Sequence, residues 1–206
     1  PNIKQVTATL SSSTQKVFIL RPDGSSSQDL RPMVRLNISI LLEDKGQREN
    51  GYTGIGGRSN LLNFLRPEVW QNAAFEALRI AKVNLTAKPA PAGIMDLVLG
   101  PGWPGILLHE AIGHGLEADF NRKKTSVFSD LMGKRIAAPG VTVFDDGTIP
   151  DRRGSITIDD EGTPSQKTKL IDNGVLVGYM QDRQNSRLMG LKSTGNGRRQ
   201  SYAHAP

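Results

Sequence analysis

The sequence predicts an α+β fold with mixed or antiparallel sheets and a few packed helices. Residues 34–40 alternate apolar and polar side chains, which is the pattern of a strand with one buried face. Apolar residues recur at helical spacing from Val69 to Ala81, and Pro67 suits the first turn of that helix. Because strands and helices do not alternate regularly along the chain, this pattern favours α+β over a doubly wound parallel sheet.

The first third of the chain predicts strands and turns. Residues 6–10 and 16–20 have strand-like composition, and Asp23 and Gly24 follow them as a hairpin-type turn. We interpret the glycine-rich stretch 51–58 as a bulged strand or flexible loop. It lacks the Lys-Ser/Thr pair that would follow in a phosphate-binding loop.

A proline-rich stretch at residues 88–93 predicts a joint between two domains. Residues 1–90 would then be the end of an N-terminal α+β domain, and residues 91–206 the start of a second domain. Residues 95–99 predict a short buried strand. The glycine-rich turn 100–105 should connect it to a helix.

The last third returns to strands, with one short helix near its end. The sequence Asp172-Asn173-Gly174 is a strong hairpin signal between two of these strands. The predicted elements are strands at 141–144, 154–158, 168–171 and 175–180, and a helix at 184–189.

Composition places the chain among ordinary globular proteins. It has 206 residues, of which 37% are hydrophobic and 22% are charged. No apolar run approaches the roughly 18 residues of a membrane helix, and we expect no signal peptide. The chain starts without Met and ends without a closing element, so we expect a fragment of a longer protein. The absence of cysteine excludes a disulfide or thiolate ligand within the chain and fits a cytoplasmic protein.

The net charge of +6 raises the question of nucleic-acid binding. Basic clusters lie at residues 122–124, 152–153 and 198–199. Aromatic residues make up only 5% of the chain, and no nucleic-acid-binding module is present. We therefore expect these clusters to be solvated surface. Nucleic-acid binding, the alternative, would predict an affinity for nucleic acid that falls steeply as the salt concentration rises.

The strongest chemical pattern is H-E-x-x-x-H, formed by His109, Glu110 and His114. Imidazole is the commonest side-chain ligand for zinc, and a carboxylate beside the metal can accept a proton from water. The pattern therefore predicts a metal centre with His109 and His114 as ligands and Glu110 as catalytic base. The alternative is a buried helix whose two histidines are satisfied by hydrogen bonds.

The five-residue spacing constrains this hypothesis. In an undistorted α-helix, residues five apart point about 140° away from each other, so the two rings would diverge. A π-type turn would return them to one face, and Gly113 and Gly115 make the backbone permissive there. The metal site therefore requires a widened or broken helix near Gly113.

Two nearby carboxylates, Glu117 and Asp119, are candidates to orient an imidazole from behind the metal ligands. Solvated carboxylates at a helix end are the alternative for both. His204 is another possible ligand, although a lone histidine near a terminus is more often simply exposed.

Beyond these residues, the sequence closely resembles the TldD/PmbA family of cytoplasmic metallopeptidases, some of which are labelled modulators of DNA gyrase. The resemblance is dense from about residue 91 onward. The stretches that carry it are 102–105 (GWPG), 109–117 (HEAIGHGLE), 119–122 (DFNR), 145–148 (DDGT), 152–155 (RRGS), 159–164 (DDEGTP), 178–182 (GYMQD) and 194–199 (TGNGRR).

The resemblance implies a zinc peptidase that cleaves small or unfolded peptides beside a homologous PmbA-type subunit, or as a homo-oligomer. By match to the family motif, His109 and His114 would hold zinc and Glu110 would be the base. The third ligand in the family is a cysteine in the C-terminal part, which this chain does not contain.

Two protein ligands seldom make a tight catalytic zinc site. We therefore expect this fragment to bind zinc weakly and to be inactive as a peptidase. The competing hypothesis is a non-catalytic partner or regulatory module of the gyrase-modulator type.

Overall fold

The computed structural model describes residues 1–206, which form two compact units. Both contain a three-stranded sheet and helices, which confirms the predicted α+β class. None of the helices combines the length and the apolar character needed to cross a bilayer. The first unit comprises Pro1–Lys16, Leu30–Met95 and Pro150–Arg153; the second comprises Val17–Asp29, Asp96–Ile149 and Gly154–Pro206.

The first sheet contains three long strands, β1 (Asn2–Leu20), β2 (Ser26–Asp44) and β3 (Gln47–Gly57), in that order. Strands β2 and β3 are antiparallel, and their pairing runs without interruption from Val34 opposite Gly57 to Asp44 opposite Gln47. The predicted strands at 6–10 and 16–20 are thus parts of one continuous strand.

Two helices follow this sheet, α1 (Leu61–Phe64) and α2 (Pro67–Asn84). The buried face of β2 packs on a stripe of small residues of α2, because alternation in the strand meets helical periodicity in the helix. The buried core here consists of Leu36, Ile38, Ile40, Leu42, Ala73, Ala77 and Ala81.

Most of the glycine-rich stretch is part of strand β3, which confirms a strand there, but the pairing with β2 has no bulge, so the predicted bulge and the loop alternative are wrong. A Cβ at Gly51 would collide with the backbone carbonyl of Ala77 in α2. Glycine at this position is therefore explained by close approach of the helix to the strand.

The second sheet is formed by β4 (Val143–Asp146), β5 (Lys167–Asp172) and β6 (Val175–Leu176), all antiparallel. As predicted, β5 and β6 are joined through Asn173 and Gly174, both in the left-handed region at φ 47° and 83°. Two short helices, α3 (Gly105–Leu108) and α4 (Ala118–Arg122), precede this sheet along the chain. A third, α5 (Arg183–Leu188), follows it close to its predicted position.

The core of the second unit joins this sheet to the histidine motif. It contains Leu116, Ala118, Leu170, Ile171, Leu176 and Tyr179, all buried.

Two predicted strands are wrong. Residues 95–99 form no strand and are exposed, with Val98 completely accessible, because no other strand of the chain pairs with them. Residues 154–158 form only an isolated bridge between Ile158 and Pro164. Strand β6 also ends earlier than predicted, because the backbone N–H groups of Val177 and Gly178 both donate to the carbonyl oxygen of Leu170.

Candidate metal centre

The histidine motif lies on a helical segment that changes its winding at each histidine. The α-helical turn α3 (Gly105–Leu108) continues into a π-helical turn, His109–Gly113, and then into a 3₁₀ turn, His114–Leu116. The backbone N–H of His114 donates to the carbonyl oxygen of His109, five residues earlier. This bond defines a π turn and confirms the distortion that the residue spacing required.

The widened turn brings the two imidazoles together. Their ring centroids are 4.3 Å apart, with the ring planes inclined at 67°. One nitrogen from each histidine and one carboxylate oxygen of Glu110 lie within 4.8 Å of one another. All three side chains are exposed, so the burial that the alternative predicted is wrong, although His114 does form a hydrogen bond with Glu117.

Gly113 leaves room for the ring of His109. A Cβ at Gly113 would lie 3.1 Å from Nδ1 of His109 and 3.6 Å from its Cγ. Any larger residue at position 113 would press on the imidazole, so glycine contributes space as well as backbone freedom.

The imidazole of His114 is held from one side by Glu117. Nδ1 of His114 lies 2.7 Å from Oε1 of Glu117, whereas Nε2 lies 3.9 Å from Oε2 of Glu110. The hydrogen bond and the negative charge of Glu117 raise the pKa of His114, and Glu110 adds to the effect. With Nδ1 bonded to Glu117, Nε2 is the nitrogen of His114 that a metal can use.

The other two candidate residues make different contacts. Asp119 forms an ion pair with Lys123 at 3.0 Å, so the structure places Glu117 and not Asp119 on an imidazole. The role of Asp119 in orienting a ligand stays a prediction. His204 contacts Ser201 at 2.8 Å and is not a member of the His-Glu-His group.

Backbone hydrogen bonds fix the segment that follows the histidines. The amide of Ala118 donates to the carbonyl of Met180 at 2.9 Å, and the amide of Met180 donates to the carbonyl of Leu116 at 3.0 Å. The side-chain amide of Asn121 donates to the carbonyls of Gly115 and Glu117. The turn between His114 and Glu117 is therefore attached by hydrogen bonds to the core of the second unit.

A cavity of about 730 Å³ opens beside His109 and Glu117, a size typical of small-ligand sites. Its apolar wall includes Leu108, Phe144 and Met180, and its polar wall includes Arg122, Asn196 and Arg198.

The polar wall of this cavity could not be recognised as part of a site from the sequence. Arg122 and Arg198 belong to basic clusters that look like surface charge, and nothing in the residue pattern indicates that they face one cavity.

A buried carboxylate positions the loop that carries Asn196 and Arg198. Asp159 is completely inaccessible, and Oδ1 accepts the backbone N–H groups of Glu161 and Thr163. Its Oδ2 accepts the backbone N–H of Gly197 at 2.9 Å, between the two cavity residues. A carboxylate that accepts three backbone N–H bonds is well compensated for burial.

Comparison with known families matches the chain in two parts. The PmbA/TldA metallopeptidase central domain matches residues 1–85, and the PmbA/TldA metallopeptidase C-terminal domain matches residues 92–206.

Individual relatives give the same result. A metalloprotease TldD homolog from Haemophilus influenzae is 54% identical over 99% of this chain, which covers 43% of that protein. The chain thus spans less than half the length of this relative.

Two solved structures share the fold. TldE from Thermococcus kodakarensis matches with a TM-score of 0.79 at 21% identity, over 96% of this chain and 44% of that one. A proposed modulator of DNA gyrase from Bacteroides thetaiotaomicron matches with a TM-score of 0.75, also at 21% identity, over 95% of this chain and 44% of that one.

Proposed function

Because the chain belongs to the TldD/PmbA metallopeptidase family, we propose that it carries the metal-binding histidines and the catalytic base of a zinc peptidase. The substrates would be small or unfolded peptides. The observation that carries this proposal is the convergence of His109, Glu110 and His114 at the π turn. Because the chain spans less than half of its relative, the activity belongs to the full-length protein.

The donor set fits zinc. Two exposed imidazoles lie together with an adjacent carboxylate, and zinc sites are built from such nitrogen and oxygen ligands. In this proposal His109 and His114 hold the ion, and the third ligand comes from outside this chain. Bound zinc would supply the Lewis acidity that makes water a nucleophile near neutral pH and polarises the scissile carbonyl.

Residues of this chain would carry out the proton transfer, orient a metal ligand and bind the substrate. Glu110 accepts a proton from the attacking water and passes it to the leaving amine. Glu117 holds Nδ1 of His114 and keeps Nε2 directed away from itself. The cavity beside His109 would receive the peptide.

With only two histidine ligands, the chain by itself should bind zinc weakly and cleave no peptide. We propose that the full-length protein acts in the cytoplasm, beside a homologous PmbA-type subunit or as a homo-oligomer.

The test is Glu110→Gln in the full-length protein, with cleavage of an unstructured peptide and zinc content measured together. We expect peptide cleavage to fall by at least about 100-fold while zinc content is retained, because the lost group moves protons and is not a ligand. Glu76→Gln is the matched control, since Glu76 is an exposed glutamate paired only with Arg79 on α2. Unchanged cleavage in Glu110→Gln would reject the base assignment and favour a non-catalytic, regulatory module.

A further inference from the structure

The cavity beside the histidine pair contains one cation that lacks an acidic partner. Three lysine or arginine side chains line this cavity: Arg122, Lys123 and Arg198. Lys123 pairs with Asp119 and Arg198 pairs with Asp160, each at 3.0 Å. The guanidinium of Arg122 contacts only a neutral group, since its Nε donates to Oδ1 of Asn185 at 2.6 Å.

The position of Arg122 is fixed by a chain of polar contacts. Asn185 is 7% exposed, and both its backbone and side-chain nitrogens donate to the carboxylate of Asp182. These bonds orient its amide oxygen toward Arg122. The guanidinium is therefore held by Nε, and its two terminal nitrogens have no hydrogen-bond partner within the chain.

The carboxylates of the cavity are already engaged elsewhere. Glu117 bonds His114, Asp119 pairs with Lys123, and Asp182 bonds Asn185. The remaining acidic side chain among the lining residues, Asp145, accepts a hydrogen bond from the side-chain amide of Asn196 at 2.8 Å. The terminal nitrogens of Arg122 are not among the buried unpartnered atoms, so a carboxylate that enters the cavity can reach them.

We propose that Arg122 binds a carboxylate group of the peptide, which makes peptides with a negative charge near the scissile bond the preferred substrates. This proposal rests on the proposed function for the identity of the ligand as a peptide. The planar fork of arginine matches a carboxylate, and the two free nitrogens of Arg122 can both donate to it. The carboxylate can be the C-terminus of the peptide or an Asp or Glu side chain.

Binding to the chain can test this without turnover. Three probes suffice: acetyl-tetra-alanine with a free C-terminus, the same peptide with an amidated C-terminus, and an amidated peptide with one Glu in place of Ala. Affinities are read from NMR shift titrations of ¹⁵N-labelled protein. We expect at least one acidic probe to bind roughly ten-fold or more tightly than the amidated tetra-alanine.

The variant Arg122→Gln should abolish this preference, and Arg122→Lys should retain part of it because the charge remains. Arg187→Gln is the matched control, since Arg187 is an exposed arginine of α5 that does not line the cavity. Retention of the preference in Arg122→Gln would overturn the proposal. So would equal affinity of the unsubstituted chain for all three probes, a result that needs no variant to fold.

The acidic probe that binds more tightly identifies the source of the carboxylate. If both bind equally well, Arg122 recognises the charge in either position, which also supports the proposal. Because binding is scored without zinc or cleavage, failure of the peptidase proposal would appear separately, in the Glu110→Gln experiment.

Discussion

Replacing Asn121 with alanine should loosen the turn that holds His114 and Glu117. Asn121 is 6% exposed, and its side-chain nitrogen donates to the carbonyl of Gly115 at 2.9 Å and to the carbonyl of Glu117 at 2.7 Å. Both bonds are lost in Asn121→Ala. Gly115 lies within the 3₁₀ turn His114–Leu116 and Glu117 directly follows it, so the substitution acts beside His114, a candidate metal ligand.

The expected loss in free energy of unfolding is about 2 kcal/mol, at about 1 kcal/mol for each lost hydrogen bond. Neither carbonyl is orphaned, because Ser126 Oγ still donates to Gly115 and the backbone N–H of residue 121 still donates to Glu117. The side-chain oxygen of Asn121 is buried without a partner, so its removal offsets part of the loss. For a chain of this length, 2 kcal/mol corresponds to a fall in melting temperature of roughly 4–8 °C.

Urea denaturation measures the global effect, and hydrogen exchange at the amides of Ala118 and Met180 measures the local one. These amides form the bonds that tie the turn to its unit. Asn84→Ala is the control, because Asn84 makes one exposed bond to the carbonyl of Asn50 and should cost less than about 0.5 kcal/mol. A stability change in Asn121→Ala no larger than in this control would refute the reasoning.

Two further substitutions test the geometry around the histidines. Glu117→Gln should lower the pKa of His114 toward its ordinary value of 6.5, and an NMR titration of the imidazole protons checks this; an unchanged pKa would contradict the role of Glu117. In the unsubstituted chain, the stabilisation linked to His114 is fully present below pH 6.5 and is lost as pH rises through the raised pKa, because the folded state binds the proton more tightly. Gly113→Ala should weaken zinc binding by the full-length protein about ten-fold, as measured by calorimetry, since the added Cβ presses on Nδ1 of His109; wild-type affinity would show that the ring can move without cost.

A distortion of the motif helix could be predicted from the sequence, because five-residue separation places His109 and His114 on different faces of an α-helix. A shared metal therefore required a helix that is widened or broken near Gly113, and the structure has the widened form. The alternation at residues 34–40 likewise fixed a strand with one buried face, which lies within β2.

The cavity could not be predicted, since it is assembled from side chains far apart in sequence. Arg122 and Arg198 are separated by more than half of the second unit and looked like surface charge. The predicted strand at residues 95–99 failed for a related reason: local apolar composition indicates a strand, but a strand also needs a partner to bond with, and local sequence does not reveal one.

The π turn also shows that the spacing of the histidines in the sequence does not by itself determine how they are arranged in space. Histidines four residues apart on an α-helix and histidines five residues apart on a π turn both lie side by side. Two different sequence spacings therefore produce one local arrangement. A sequence search that requires a fixed number of residues between the two histidines treats these two motifs as unrelated. A search for neighbouring imidazoles next to a carboxylate would place them in one class.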